Sequence, residues 1–168
     1  VGMAQYCREK IIFFSLRPSN PVIQEHIENE HTAVVYDRGY ITIVQGEMAS
    51  PVARAVEMPI TLEGRAAFNI QNALAAASVA HALDLKIEEI RQGLVSFFPS
   101  PSQTPGRTNF FNIRDFEVML DYAHNPSAYR QVLDLIARLD HPRRIFVFDV
   151  VGDRRDEDIR EMCRLIAG

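Results

Sequence analysis

Lysine is scarce in this sequence: Lys10 and Lys86 are the only two, and every other Lys/Arg-type cation is arginine. With 18 Lys and Arg against 22 Asp and Glu, the formal net charge is −4. That balance argues against a general nucleic-acid binder, which needs a basic face to meet phosphates. Cysteine is equally sparse. Cys7 and Cys163 stand near opposite ends of the chain, without the clustered spacing of a zinc site, and they read as reduced residues of a cytoplasmic protein. No apolar run approaches the roughly 18 residues of a membrane span, and Ile11–Leu16 is too short for the core of a signal peptide. Also missing is any Gly-x-x-x-x-Gly-Lys-Ser/Thr string, the loop type that cradles nucleotide phosphates.

What remains has the balance of a globular protein, with 47% apolar and 24% charged residues. A length of 168 residues suits one ordinary domain or parts of two small ones. The sequence opens on Val1 and stops at Gly168 directly after a helix-like segment, where an α/β pattern would place another strand. Both ends are therefore expected to be cut.

The run Ile11–Leu16 predicts a short strand buried on both faces. Ser19-Asn20-Pro21 predicts a cap and first turn for a helix over Pro21–Glu30. Thr32–Tyr36 and Tyr40–Gln45 flank Asp37-Arg38-Gly39 as a hairpin, and Val52–Ile60 predicts a further strand. Asn69–Leu85 is rich in alanine and leucine, lacks Pro and Gly, and predicts a buried helix. Ile87–Phe97 predicts a second, shorter one. The Pro- and Ser-rich stretch from Pro99 to Gly106 has the composition of a linker.

Beyond it the expected order is strand, strand, helix, strand, helix. The strands are Thr108–Asn112, Glu117–Tyr122 and Arg144–Val150; the helices are Pro126–Leu139 and Asp156–Ala167. This alternation predicts an α/β fold made of parts of two domains, the second a βα layered domain with a partly parallel sheet. Ligand-contacting residues in such sheets cluster at the carboxyl ends of strands. Asp121–Asn125 and Gly152–Asp156 fall in that position.

Three groups of residues carry possible chemistry. In Asp121-Tyr122-Ala123-His124-Asn125-Pro126, an apolar strand runs into a carboxylate and two hydrogen-bonding side chains. Asn125 and Pro126 also suit a helix cap and first position, with His124 an ordinary loop residue. A carboxylate at a strand end can accept from both hydroxyls of a ribose. Arg107, after Pro105-Gly106, is either a solvated surface cation or a bidentate phosphate partner. Asn69 and Asn72 share a helix face at i, i+3. They read as a cap and a tolerated amide, or as a pair able to recognise the adenine edge.

In this order the groups resemble the Mur ligase superfamily. Gly64–Ala76 resembles the asparagine motif that closes the central domain of those enzymes. Pro105–Arg107 and Asp121–Pro126 resemble the start of their C-terminal, Rossmann-like domain. Within the superfamily, Ser102–Arg107, Asn109–Asn112, Asp121–Pro126 and Gly152–Asp158 are together similar to the ligase half of the cyanophycin synthetase family. The resemblance implies that residues 1–100 are the C-terminal part of a central, ATP-binding domain and 101–168 the N-terminal part of the C-terminal domain.

It also implies an ATP- and Mg2+-dependent acid–amino-acid ligase. A carboxylate is activated as an acyl phosphate and an incoming amine displaces the phosphate. In the cyanophycin synthetase half, arginine is joined to side-chain carboxylates of polyaspartate, the backbone of cyanophycin. Asn69 and Asn72 would meet adenine, Asp121 the ribose, Arg107 a phosphate oxygen, and His124 and Asn125 the nucleotide side of the same cleft. Asp153, Arg154 and Arg155 would shape the amino-acid site, or form a solvated helix start. No catalytic residue and no metal ligand is assigned within the chain; those for Mg2+ would lie mostly outside it. A homo-oligomer is compatible with the resemblance, whereas nucleic acid and membrane are not expected partners.

The sequence departs from the family in its missing phosphate loop and in Asp149-Val150-Val151, where a more glycine-rich approach to Gly152 is expected. The isolated chain is accordingly expected to be catalytically silent and to bind ATP weakly, if at all. Another Mur-type ligase, of peptidoglycan precursor or folylpolyglutamate type, and a non-catalytic nucleotide- or partner-binding remnant are the alternatives.

Overall fold

A computed structural model describes residues 6, 7, 10–149 and 152–167. The chain is α/β and divides into two compact units, residues 1–98 and 99–168.

In the first unit four strands, β1 (Phe13–Ser15), β2 (Thr32–Asp37), β3 (Tyr40–Gln45) and β4 (Met48–Arg54), pair in that order. β1 and β2 are parallel; β2, β3 and β4 run antiparallel. Alternation along the strands sorts side chains to two faces. Ala33, Val35 and Val44 pack with Ile23 of α1 (Pro21–Glu28). On the other face Val34, Ile41, Ile43 and Val52 meet Ile70, Ala73, Leu74 and Ala77 of α2 (Ala67–Ala82), with Ile90 of α3 (Ile87–Ser96). β2 is thus covered on both sides, which explains its unbroken apolar run.

The β2–β3 hairpin forms as its sequence predicts. Arg38 and Gly39 both adopt positive φ, 47° and 87°, the twist that a two-residue hairpin turn requires. α1 begins where expected, with Asn20 accepting from the Val22 N–H and Pro21 in the first turn. β1 differs from its predicted burial. It is a sheet edge, and Phe14 remains 41% exposed.

The strand expected over Val52–Ile60 also forms differently. β4 starts earlier and ends at Arg54, and two 3-10 turns follow at Ala55–Glu57 and Pro59–Thr61. Pro51, which cannot donate to a ladder, is tolerated because β4 is an edge strand. The register shifts opposite Ile41 and Thr42, so that Val52 is the extra residue. The 3-10 turns are tied by Thr61, a fully buried side chain. Its hydroxyl lies 2.5 Å from Ala55 O and 2.9 Å from Met58 O, and accepts from the Gly64 N–H at 3.0 Å. Leu62, Glu63 and Gly64 all have positive φ, so this loop is held against its local preference on the way into α2.

The second unit contains a hairpin of β5 (Asn109–Ile113) and β6 (Phe116–Leu120), followed by α4 (Pro126–Ala137) and α5 (Asp156–Ala167). The two helices pack on each other, with Tyr129, Val132, Leu135 and Met162 buried and an Arg130–Glu161 ion pair at the surface. Arg144–Asp149, expected as part of a strand ending at Val150, joins no ladder among the described residues. A strand needs a neighbour for its main-chain groups, and among the described residues β5 and β6 pair only with each other. Val150 and Val151 lie outside the described residues.

Candidate functional site

In the first unit the loop held by Thr61 delivers the chain to the start of α2. Asn69 sits in the first turn of that helix but does not cap it; Ala66 occupies the cap position, without a side-chain bond. Instead Asn69 is buried, its Nδ2 donating to Ile60 O at 2.7 Å and its Oδ1 accepting from Asn72 Nδ2 at 3.2 Å. The two asparagines are therefore together on one face. Asn69 braces the preceding loop, while Asn72 is the exposed member of the pair. A cavity in this unit is lined by Lys10, Phe13, His26, His31 and Gln45 and by neither asparagine.

In the second unit the predicted residues gather around the loop before β5 and the end of β6. Asp121 Oδ2 accepts from both the main-chain N–H and the hydroxyl of Thr108, at 2.9 and 3.0 Å. Thr108 has φ of 50°, a left-handed conformation that is uncommon for a β-branched residue and costs on the order of 1–3 kcal/mol. Its neighbour Asn109 is buried and closes the loop on itself. Asn109 Oδ1 accepts from Gly106 N–H at 2.7 Å, and Nδ2 donates to Thr104 O at 3.1 Å. Gly106 O in turn accepts from Tyr122 N–H at 2.7 Å.

Arg107 projects from this loop with its guanidinium carbon 5.8 Å from the centre of the Tyr122 ring, a cation–π arrangement. The Tyr122 ring also lies against His124, with centroids 5.4 Å apart. His124 Nδ1 is 3.0 Å from Tyr122 O. A carbonyl can only accept, so Nδ1 carries the proton and, in the neutral ring, Nε2 is the acceptor. Asn125 is the cap of α4: its Oδ1 accepts from the Ala128 N–H at 2.9 Å, and Pro126 follows in the first turn. The helix-cap reading of Asn125 is realised, which leaves its side-chain NH2 for other contacts.

The Gly152–Asp158 segment leads into α5. Arg155 donates from Nε and Nη2 to the two oxygens of Asp158, at 3.0 and 2.9 Å. This hydrogen-bonded pair holds the Asp158 carboxyl below its ordinary range and raises the Arg155 guanidinium. Arg154 is paired less closely, with Nε 3.8 Å from Asp153 Oδ1 and no hydrogen-bond acceptor for that buried Nε among the described residues. Just before this segment, Asp149 O accepts from the Tyr129 hydroxyl at 3.2 Å. Burial pushes the Tyr129 phenol above the ordinary value, reinforced by Cys163 and Asp149.

Residues 106–168 match the Mur ligase glutamate ligase domain. Along 99% of its length the chain is 43% identical to cyanophycin synthetase of Synechocystis sp. and 41% identical to that of Trichormus variabilis, covering 19% and 18% of those proteins. It is also 33% identical, over 65% of its length and 22% of the relative, to UDP-N-acetylmuramoyl-L-alanyl-D-glutamate–2,6-diaminopimelate ligase of Caldanaerobacter subterraneus. The family match thus lies in the second unit, while the chain as a whole is similar to cyanophycin synthetases and, over part of its length, to a Mur-type ligase. The chain spans about a fifth of the length of the cyanophycin synthetases it matches.

The bonding of three residues that organise this part of the second unit escaped the sequence reading. Thr108 sits between the legible strings and Asn109 opens one of them, and nothing in their type signals a left-handed threonine or an asparagine closing a loop. Tyr122 lies inside a legible string, but its ring contacts need the fold. Among the described residues no group of three or more His, Cys, Asp or Glu could hold a metal ion. The donor set does fit a nucleotide: an exposed guanidinium, a carboxylate with one oxygen unengaged by Thr108, and an imidazole acceptor.

The bracing of Asn69 leads to a separable expectation for the first unit. Asn69→Ala should destabilise the first unit by about 1–2 kcal/mol, the loss of a buried side-chain bond to Ile60 O. Asn72→Ala, at an exposed position, should stay within about 0.5 kcal/mol. Urea unfolding followed by circular dichroism measures both, and equal losses would contradict the assignment of Asn69 as the brace.

Proposed function

We propose that this chain is part of an ATP-dependent amide-bond-forming ligase, the half that adds arginine to the side-chain carboxylates of polyaspartate. The observation that carries the reading is the 43% identity to a cyanophycin synthetase along 99% of the chain, with every motif behind the predicted site inside the matched length. In this reading residues 1–100 end the central domain and 101–168 begin the C-terminal one, in a cytoplasmic enzyme. Asn72, braced by Asn69, meets adenine. Asp121 accepts from the ribose hydroxyls through the oxygen that Thr108 does not hold. Arg107 meets a phosphate oxygen, with His124 and the Asn125 NH2 beside it.

For the incoming amino acid, Arg154 is better suited than Arg155 to hold a carboxylate. Arg155 is already committed to Asp158, while Asp153 is an exposed carboxylate suited to a guanidinium. ATP supplies the phosphoryl group that activates the acid; this chain contributes binding and orientation, with Mg2+ ligands provided elsewhere in the enzyme. A diaminopimelate-adding Mur ligase is the second reading, favoured by the 33% identity to such an enzyme.

Phosphate release by the parent enzyme separates the two. With ATP and polyaspartate, release should depend on arginine; dependence on 2,6-diaminopimelate and a muramoyl peptide instead would establish the second reading. The 168-residue chain alone, lacking a phosphate loop, should release no phosphate above background under the same conditions. Sustained turnover by the chain alone would overturn its assignment as an incomplete catalytic unit.

A further inference from the structure

Asp121 is held by an unusual neighbour. Thr108 directs two donors, its main-chain N–H and its hydroxyl, at the same carboxylate oxygen, Oδ2. It does so while 9% exposed and from a left-handed backbone, φ 50°, that a β-branched side chain disfavours. The surrounding loop fixes that conformation from both sides. Asn109 ties Gly106 and Thr104, and Gly106 O receives the Tyr122 N–H next to Asp121. A carboxylate with both oxygens free can rotate about its last bond; one with two donors on a single oxygen has a set plane.

We propose that Thr108 is a positioning residue, clamping Asp121 Oδ2 so that Oδ1 alone meets the vicinal hydroxyls of a ribose. The inference rests on the reading of Asp121 as a nucleotide contact and adds what orients it. Thr108 does not itself touch the nucleotide. Its hydroxyl sets the carboxylate plane, and its main chain sets the path that leads from Arg107 into β5.

The test uses the full-length ligase containing this chain, with Thr108→Val, Thr108→Ser and Asp121→Ala compared by steady-state kinetics and thermal midpoint. Valine keeps the branched shape and deletes the hydroxyl; serine keeps the hydroxyl. T108V should raise the KM for ATP about tenfold, the effect of one lost hydrogen bond to a charged group. The turnover number and the KM of the amine substrate should stay within about twofold. T108S should lie within about twofold of the parent for ATP, and D121A should raise the KM for ATP at least as much as T108V.

If D121A raises that KM and T108V does not, the clamp is overturned while the nucleotide reading stands. If D121A has no effect, the nucleotide reading falls and the clamp with it. A T108V defect that appears equally for every substrate, follows loss of folded protein and is not repaired by serine assigns Thr108 a purely structural role and also overturns the proposal.

Discussion

Replacing Thr61 by valine is expected to destabilise the first unit by about 3 kcal/mol. Valine matches the volume of threonine, so no cavity opens and the loss isolates the hydroxyl. That hydroxyl bonds towards two carbonyls and receives the Gly64 N–H, at a site with no solvent exposure. Groups left unpaired in such a place keep their full desolvation cost. The loop it ties contains Leu62 and Glu63 in left-handed conformations, each held only while its surroundings enforce it. Urea denaturation followed by circular dichroism gives the change; a loss below about 1 kcal/mol would mean that the loop finds another set of partners. Because α2 begins directly after this loop, the substitution should also loosen the Asn69 bond to Ile60 O.

Under the proposed ligase function, Arg107→Ala should lower kcat/KM for ATP by about 10- to 100-fold, the range for losing a charged hydrogen bond or a bidentate pair. Arg107→Lys should recover little of it. A lysine ammonium restores the charge, but it cannot reproduce the planar fork of the guanidinium. The Tyr122 ring gives the guanidinium a defined place, so part of the loss should come from orientation, and Tyr122→Ala should show a smaller defect in the same direction. Steady-state kinetics with ATP varied is the measurement. Full rescue by lysine would reduce Arg107 to a point charge.

Much of the fold could be read from local chemistry. Asn20-Pro21 and Asn125-Pro126 start helices because cap and first-turn preferences act over a few residues. The hairpin at Arg38-Gly39 forms because its turn needs only residues that accept positive φ. Alanine density marks α2 in the same way. The readings that departed from the structure depended on neighbours distant in sequence. Phe13–Ser15 has the composition of a central strand but lies at an edge. Val52–Ile60 is rich in strand formers, yet Pro59 and the Thr61 hydroxyl bend its second half into 3-10 turns. Arg144–Asp149 has strand composition without a ladder partner among the described residues.

The site shows the same division. Arg107, Asp121, His124 and Asn125 were legible as residue types suited to a nucleotide. Apart from the Asn125 cap, their bonding was not, because Thr108 reaches Asp121 across 13 positions through a backbone shape that threonine rarely adopts. Asn69 was legible as a helix-start residue, but its partner Ile60 O depends on the loop that precedes the helix. Residue type announces which chemistry is available; the long-range bonds decide which atoms remain for a ligand.

The stretch from Arg144 to Phe148 also bears on how the chain behaves in solution. Ile145 and Val147 are 75% and 91% exposed, beside main-chain groups that join no ladder among the described residues. An apolar edge of this kind accepts strands from other molecules. Colloidal loss at high concentration is therefore a hazard distinct from unfolding, and one governed by encounter between copies: dilution should relieve it, whereas tighter packing of the core would not.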